Sequence, residues 1–196
     1  PLELAMCVQV SFDQLVPFDA VEGKRFGIAG LGPAGLIALQ LARAYGAAEV
    51  VGFDPLPARR ELAASLGADR VLAPDSDAFA AGRQNADALD AAIDCTGFKS
   101  AIQYLMDRTR QVVTIFGVLR ETIEYEAHHR SGGLALLGYA NHNRGAAERA
   151  LAQIEAGRLD LSPLVSRTLP LSRYAEGVQA LRDKEAVKIL FEPWSE

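Results

Sequence analysis

Three glycines at a fixed spacing constrain this chain more than anything else in it. Gly30, Gly32 and Gly35 fit G-x-G-x-x-G, and Asp54 stands 19 residues beyond the last of them. The surrounding stretch reads RFGIAG, LGPAG, LIALQLARAYGA and AEVVGFD. That is an apolar run, a glycine turn, a helical run and a second apolar run ending in an acid. Order and spacing are those of a βαβ dinucleotide-binding unit. Gly30 lets the chain turn sharply out of a strand. Gly32 lets a pyrophosphate approach the backbone, and Gly35 lets the helix pack tightly on the strand. Leu31, Pro33 and Ala34 complete the turn and count among the candidate cofactor-binding positions. The helix opens with free N–H groups and a positive dipole end, both suited to an anion. Pro33 is tolerated there because the first helical turn needs no N–H from it.

Asp54 can accept two hydrogen bonds from ribose hydroxyls and would repel a phosphate, so it argues for NAD over NADP. A second role is open to it, that of capping the helix after Pro55. Arg59 and Arg60 pull the other way, since arginines there can hold a 2′-phosphate. They also fit an exposed helix face.

Composition narrows the class. A chain of 196 residues, 23% charged and 49% hydrophobic, suits one soluble domain with a sizeable core, or one domain plus an appendage. A net charge of -5 with no long basic run argues against a nucleic-acid partner. No stretch approaches the roughly 20 apolar residues of a membrane span, and no signal peptide is visible. Only Cys7 and Cys95 occur, with no Cys-x-x-Cys, so neither a zinc ribbon nor a disulfide framework is indicated. The expected setting is a reducing cytoplasm. The chain starts at Pro1 in mid-pattern, which reads as a fragment.

Along the chain, residues 1–22 form an apolar lead-in, with Leu4, Cys7, Val8 and Phe12 at helical spacing until Pro17. Helices are predicted over about 33–45, 57–66, 98–107 and 144–156, with glycines closing the first, second and last. Strands are predicted at 49–53, 70–72, 90–96, 111–117 and 134–140, besides the one leading into Gly30. Residues 74–87 read as a short helix and loop, and 119–131 as irregular with an extended piece. The tail predicts an extended piece near 165–169. A helix follows, capped by Ser172, with Tyr174, Val178 and Leu181 inward. A last strand covers 187–192. Strands alternating with helices imply a doubly wound parallel sheet of six strands, a Rossmann fold, with ligand over the strand C-termini. The expected organisation is a lead-in over 1–22, the Rossmann domain over 23–158, and an extension over 159–196 packing on it.

Taken together, GKRFGIAGLGPAGLIALQLARAYGA, VVGFDPLPARRELAASLGAD, AAIDCTG, VVTIFGV, ALAQIEAGRLDLSPLVSRTLPL, YAEGVQAL and VKILFEP resemble the cofactor-binding half of the medium-chain, zinc-type alcohol dehydrogenases. The resemblance covers about residues 20–193. It implies a ribose-binding role for Asp54 and an NAD-type basic residue at Arg59, five positions on. It places Cys95 and Thr96, with Gly97, beside the adenine and its ribose. Gly117 and Val118 come at the nicotinamide, and Leu137, Gly138 and Tyr139 near its carboxamide. Lys188 comes near the pyrophosphate. Cys95 itself reads as a core cysteine and not a nucleophile. Members of the family also carry an N-terminal GroES-like catalytic domain, which this sequence does not contain. With it would go most of the catalytic zinc ligands, the proton relay and the structural zinc lobe.

The resemblance therefore implies hydride transfer between an alcohol or carbonyl and NAD in the intact protein, with zinc there if at all. This chain alone is expected to bind dinucleotide without turnover, and no catalytic or metal residue is assigned to it. Cys7 lies near where some members place a zinc ligand, but its partner ligands are missing. His128 and His129 would face opposite ways in an extended piece, and with His142 they read as surface residues. The apolar strand at 134–140 would need cover at a sheet edge, which implies a homodimer. Two other functions remain open at this point. One is a dinucleotide sensor without chemistry; the other is a nucleoside-cofactor methyltransferase, which also uses a glycine turn and a strand-end acid.

Overall fold

The computed structural model describes residues 1–74 and 81–194, so much of the helix and loop expected over 74–87 lies outside the described residues. The chain divides into two compact units, Leu2–Leu159 and Asp160–Glu196.

In the first unit, β1 (Arg25–Ala29), β2 (Glu49–Phe53), β3 (Arg70–Leu72), β4 (Leu89–Asp94), β5 (Thr109–Ile115) and β6 (Ala135–Gly138) form one sheet. Its order is β3-β2-β1-β4-β5-β6, and every pairing is parallel. This is the six-stranded Rossmann sheet, with its switch point between β1 and β4. The central strands are apolar on both faces, as a parallel sheet covered on both sides requires. Residues β1 through Ala29 and β2 through Phe53 are buried after their first position. On one face Val51, Phe53, Ala92 and Val113 pack with Ile102, Leu105 and Met106 of α4 (Lys99–Met106).

The helices end where glycine permits a left-handed residue. Gly46 at φ +82° follows α2 (Pro33–Ala44), Gly67 at +100° follows α3 (Pro57–Ser65), and Gly157 at +67° follows α6 (Arg144–Glu155). The N-terminus of α6 is capped by Asn143, whose Oδ1 accepts from the Ala146 N–H at 2.9 Å.

The lead-in contains a 14-residue helix, α1 (Leu2–Leu15), followed by a 3-10 turn at Val16–Phe18. It is buried on several sides, because α2 and α6 both pack on it. Phe12 lies parallel to the Tyr45 ring at 5.6 Å between centroids. Arg149 of α6 grips the Asp13 carboxylate with two bonds of 2.7 and 2.6 Å.

Two local expectations fail. Strands β4 and β5 stop at Asp94 and Ile115, two residues before their expected ends, because Cys95–Gly97 and Phe116–Val118 leave the sheet as turns. The stretch 119–131 contains a helix, α5 (Ala127–Ser131). A capping box makes that helix possible. The Glu126 side chain accepts from the His129 amide, and His129 Nδ1 accepts the Glu126 N–H at 3.0 Å.

The second unit pairs β7 (Val165–Pro170) with β8 (Lys188–Glu192) in parallel, joined through α7 (Tyr174–Arg182). Ser172 does not cap α7. A 3-10 turn at Leu171–Arg173 intervenes, and Arg173 takes the cap position without a side-chain bond. Tyr174 and Leu181, expected inward, are exposed; Gly177 and Ala180 are buried instead. A Cβ on Gly177 would stand 2.6 Å from Phe191 Cζ. The Phe191 ring fills the space against α7, so the helix presents its small residues there.

Candidate functional site

The glycine turn leaves β1 at the C-terminal edge of the sheet, and each glycine has a separate reason to be there. Gly30 sits at φ +85°, and its N–H donates to the Phe53 carbonyl at 2.8 Å. A Cβ on Gly30 would stand 2.6 Å from Thr96 Cγ2, and a Cβ on Gly35 would overlap the Gly30 carbonyl oxygen. At Gly32 a Cβ would meet nothing within 4 Å, so the space in front of it is open. Gly32 caps α2 and Pro33 opens it. The amides of Ala34 and Gly35 have no intrahelical partner, as at any helix start. The arrangement is an anion cradle with an open face.

Asp54 belongs to the same cradle. Its side chain is buried, Oδ2 accepts the Leu31 N–H at 2.8 Å, and Oδ1 accepts the Leu56 N–H at 2.8 Å. Asp54 does not cap α3, whose cap position is taken by Leu56; it holds the turn that enters the helix, and each oxygen keeps a second lone pair. Leu31, itself fully buried, thus contributes an amide to the acid. Arg60 is committed to the backbone, donating to the Asp54 and Pro55 carbonyls at 2.7 and 2.9 Å. Burial pulls the Arg59 guanidinium below its ordinary pKa, and the charge of Asp54 opposes that shift.

Asp94, absent from the residues picked out in the sequence, organises the neighbouring edge. It is fully buried. Oδ1 accepts from Thr96 Oγ1 at 2.6 Å and from the Thr96 N–H at 3.1 Å, and Oδ2 accepts the Gly97 N–H at 2.9 Å. Its carbonyl accepts both the Phe116 and Gly117 N–H groups at 2.9 Å. Burial raises its pKa, and the Thr96 and Gly97 donors oppose that. Gly97 sits at φ +73°, and a Cβ there would overlap the Val118 carbonyl oxygen. A Cβ on Gly117 would overlap the Gly97 amide and stand 2.7 Å from Asp94 Oδ2. Asp94 therefore ties one wall beside the Gly30 turn, its carboxylate holding Thr96 and Gly97 and its main-chain carbonyl holding Gly117. The D-x-x-G pattern within AAIDCTG was the available signal.

Cys95 hands its N–H to the Ala29 carbonyl at 2.8 Å. Burial, then the Asp94 charge, drives its thiol well above the ordinary range. Burial also raises Cys7, whose Sγ–H donates to Glu3 at 3.1 Å. Neither is set up as a thiolate. Both thiols are expected to resist alkylation by iodoacetamide at pH 8 in the folded chain and to react fully in denaturant. Rapid labelling of Cys95 in the native chain would contradict this.

Val118 is exposed, Leu137 is half-buried, and Gly138, which ends β6, and Tyr139, just after it, lie at the surface. Gly138 pairs with Ile115, so the ends of β5 and β6 lie side by side. The Tyr139 hydroxyl lies 3.3 Å from His142 Nδ1. Burial first, then its bond with Cys7, pushes Tyr139 up to about 12. Lys188 begins β8 of the second unit, opposite Val165.

His128 and His142 are exposed, as expected, and His129 is not. His129 is fully buried, and His128 and His129 converge on Asp107 Oδ1 at 3.3 and 3.0 Å. Asp107, His128 and His129 are the one set among the described residues with metal-ligand spacing. They lie at the N-terminal edge of the sheet, before β5 and β6, opposite the glycine turn. His129 Nδ1 already accepts a backbone N–H, so neutral His129 carries its proton on Nε2 and donates it to Asp107. That tautomer has no lone pair left on Nε2 for a metal. The cluster suits a helix anchor and does not fit a zinc site.

Beside it, Arg83 is buried and donates to the carbonyls of Thr109, Arg110, His128, His129 and Gly132.

A family model described as zinc-binding dehydrogenase matches residues 33–154. The chain is 26% identical over 190 residues to an L-threonine 3-dehydrogenase of Caldanaerobacter subterraneus subsp. tengcongensis, covering 88% of this chain and 52% of that protein. It is 26% identical over 181 residues to a sorbitol dehydrogenase of Bombyx mori, covering 86% and 51%. Among solved structures, a zinc-binding dehydrogenase of Sinorhizobium meliloti 1021 bound to NADP superposes with a TM-score of 0.83 at 26% identity, covering 97% of this chain and 57% of that one. A 2R,3R-butanediol dehydrogenase of Bacillus subtilis shares the fold, with a TM-score of 0.84 at 21% identity over 98% and 56%. The chain spans about half the length of the curated relatives it matches. No helix among the described residues is long and apolar enough to cross a membrane.

Proposed function

The chain belongs to the zinc-binding dehydrogenase family, and on that premise we propose that it binds NAD across the C-terminal edge of its six-stranded sheet. The observation that carries this reading is the coupling of the anion cradle to the acid. Asp54 accepts the amide of Leu31, the residue between the first two glycines. A pyrophosphate at Gly32, Ala34 and Gly35 and a ribose at Asp54 would then be held by one rigid piece. Cys95, Thr96, Gly117, Val118, Leu137 and Gly138 would line the rest of the dinucleotide, with Arg59 along the adenosine.

The negative charge of Asp54 disfavours a 2′-phosphate, and the competing Arg60 is occupied by carbonyls. We therefore assign NAD over NADP. In the whole protein the cofactor would exchange hydride with an alcohol or carbonyl, in a homodimer paired through β6. This chain alone would bind without turnover.

Titration of the chain with NADH and NADPH tests the assignment, following nicotinamide fluorescence. Trp194 is 95% exposed and is a poor reporter. NADH should bind more tightly than NADPH. Asp54→Ala should weaken NADH by about 10- to 100-fold, the worth of one or two hydrogen bonds to a charged acceptor, and erase the preference. A folded chain that binds neither dinucleotide refutes the proposal.

A further inference from the structure

Resting on that reading, we infer that Asp94 is a positioning residue that also sets the redox bias of the bound cofactor, its buried charge favouring NAD+ over NADH. The two halves of a doubly wound sheet each take one mononucleotide. Asp54, at the end of β2, marks the adenosine half. The resemblance sets Thr96 and Gly97 beside the adenine ribose and Gly117 at the nicotinamide, and Asp94 stands between them, with Oδ2 2.7 Å from where a Gly117 Cβ would be.

Among the described residues the hydrogen-bond partners of the Asp94 carboxylate are the Thr96 hydroxyl and the Thr96 and Gly97 amides, none of them a cation. All three donate, so the geometry is that of the ionised form. The Thr96 hydroxyl in turn accepts the Phe98 N–H at 3.0 Å, which fixes its proton toward Asp94. The charge is also held close to the strand-5 end. Gly117 sits so near that a Cβ on it would come 2.7 Å from Asp94 Oδ2. Gly97 and Gly117 bring no side chain of their own to the wall.

An oxidised nicotinamide ring is a cation and a reduced one is neutral. A fixed anion in a desolvated wall attracts the first and is indifferent to the second, and the low local dielectric lengthens its reach. Any difference in the two affinities appears directly as a shift in the potential of the bound couple. A tenfold difference corresponds to about 30 mV for two electrons.

The test measures Kd for NAD+ and for NADH on the full chain by calorimetry, in wild type, Asp94→Asn, Asp94→Glu and Thr96→Val. Asp94→Asn should move the ratio Kd(NAD+)/Kd(NADH) upward by roughly 3- to 30-fold, whatever it does to the two values together. Asp94→Glu keeps the charge and should keep the wild-type ratio. Thr96→Val disturbs the same turn without removing the charge, and should weaken both ligands alike. If Asp94→Asn does not fold, Asp94→Ser reads the same ratio with an acceptor retained. Equal loss of both ligands in the neutral variants would reduce Asp94 to a structural residue and overturn the inference. Failure of the wild-type chain to bind either form would instead refute the proposed NAD site.

Discussion

Gly35→Ala should cost about 2–4 kcal/mol of stability and leave no measurable NADH binding. The new methyl would overlap the Gly30 carbonyl oxygen, which is backbone and cannot swing aside. Overpacking of a close-packed site typically costs about 1–3 kcal/mol. Here the obstacle also carries the turn that bonds to Phe53 and precedes the amide bonded to Asp54. Relief would push α2 off β1 and open the cradle. Gly32→Ala makes the matching contrast. Gly32 has φ -75° and open space around it, so alanine should fold with stability changed by about 0.5 kcal/mol or less. Its Cβ would still stand where a pyrophosphate approaches, and NADH affinity should fall. Urea denaturation and NADH titration separate the two. Wild-type stability and binding in Gly35→Ala would refute the close-approach argument.

Arg83→Met should be the most destabilising single change outside the glycine turn, at about 3–5 kcal/mol by urea denaturation. The side chain is 7% exposed, and its guanidinium serves five carbonyls from two regions of chain. Three close the end of α5, and two begin β5. Methionine fills much of the volume but removes all five bonds at about 0.5–1.5 kcal/mol each, although the His128 and His129 carbonyls keep a backbone donor. Arg83→Lys keeps the charge but cannot fork across both segments, so it should fall between wild type and methionine. Loss of under about 1 kcal/mol in Arg83→Met would mean that water replaces the clamp.

Arg83 and His129 mark what the sequence hides. The βα alternation was legible because burial on both faces of a parallel sheet forces apolar runs, and helix ends force glycines. The glycine turn and Asp54 were legible because backbone sterics leave few residues for those places. Arg83 lies in a polar stretch without periodicity, and its partners are backbone carbonyls, which carry no residue signature. His129 was misread because a five-residue helix has no repeat to detect, and its capping pair, Glu126 with a histidine three residues on, is an uncommon one. Asp94 lay inside the strand expected over 90–96, with nothing to mark it as the strand's end; its work depends on the turn it folds around itself. In the tail, spacing gave α7 but not its inward face, because Phe191 takes the space that larger helix residues would fill.

The packing of α1 on α6 has a consequence for how the chain is made. Residues 2–15 leave the ribosome long before residues 144–155; Phe12 meets Phe26 and Tyr45 early, but the face of α1 that packs on α6 stays uncovered until those residues arrive. The Asp13–Arg149 grip spans 136 residues of sequence. Contacts of such separation form slowly, because a long loop must close first. During synthesis α1 would therefore present an apolar helix to the cell's chaperones until α6 emerges, and it should be the segment through which an interrupted chain aggregates.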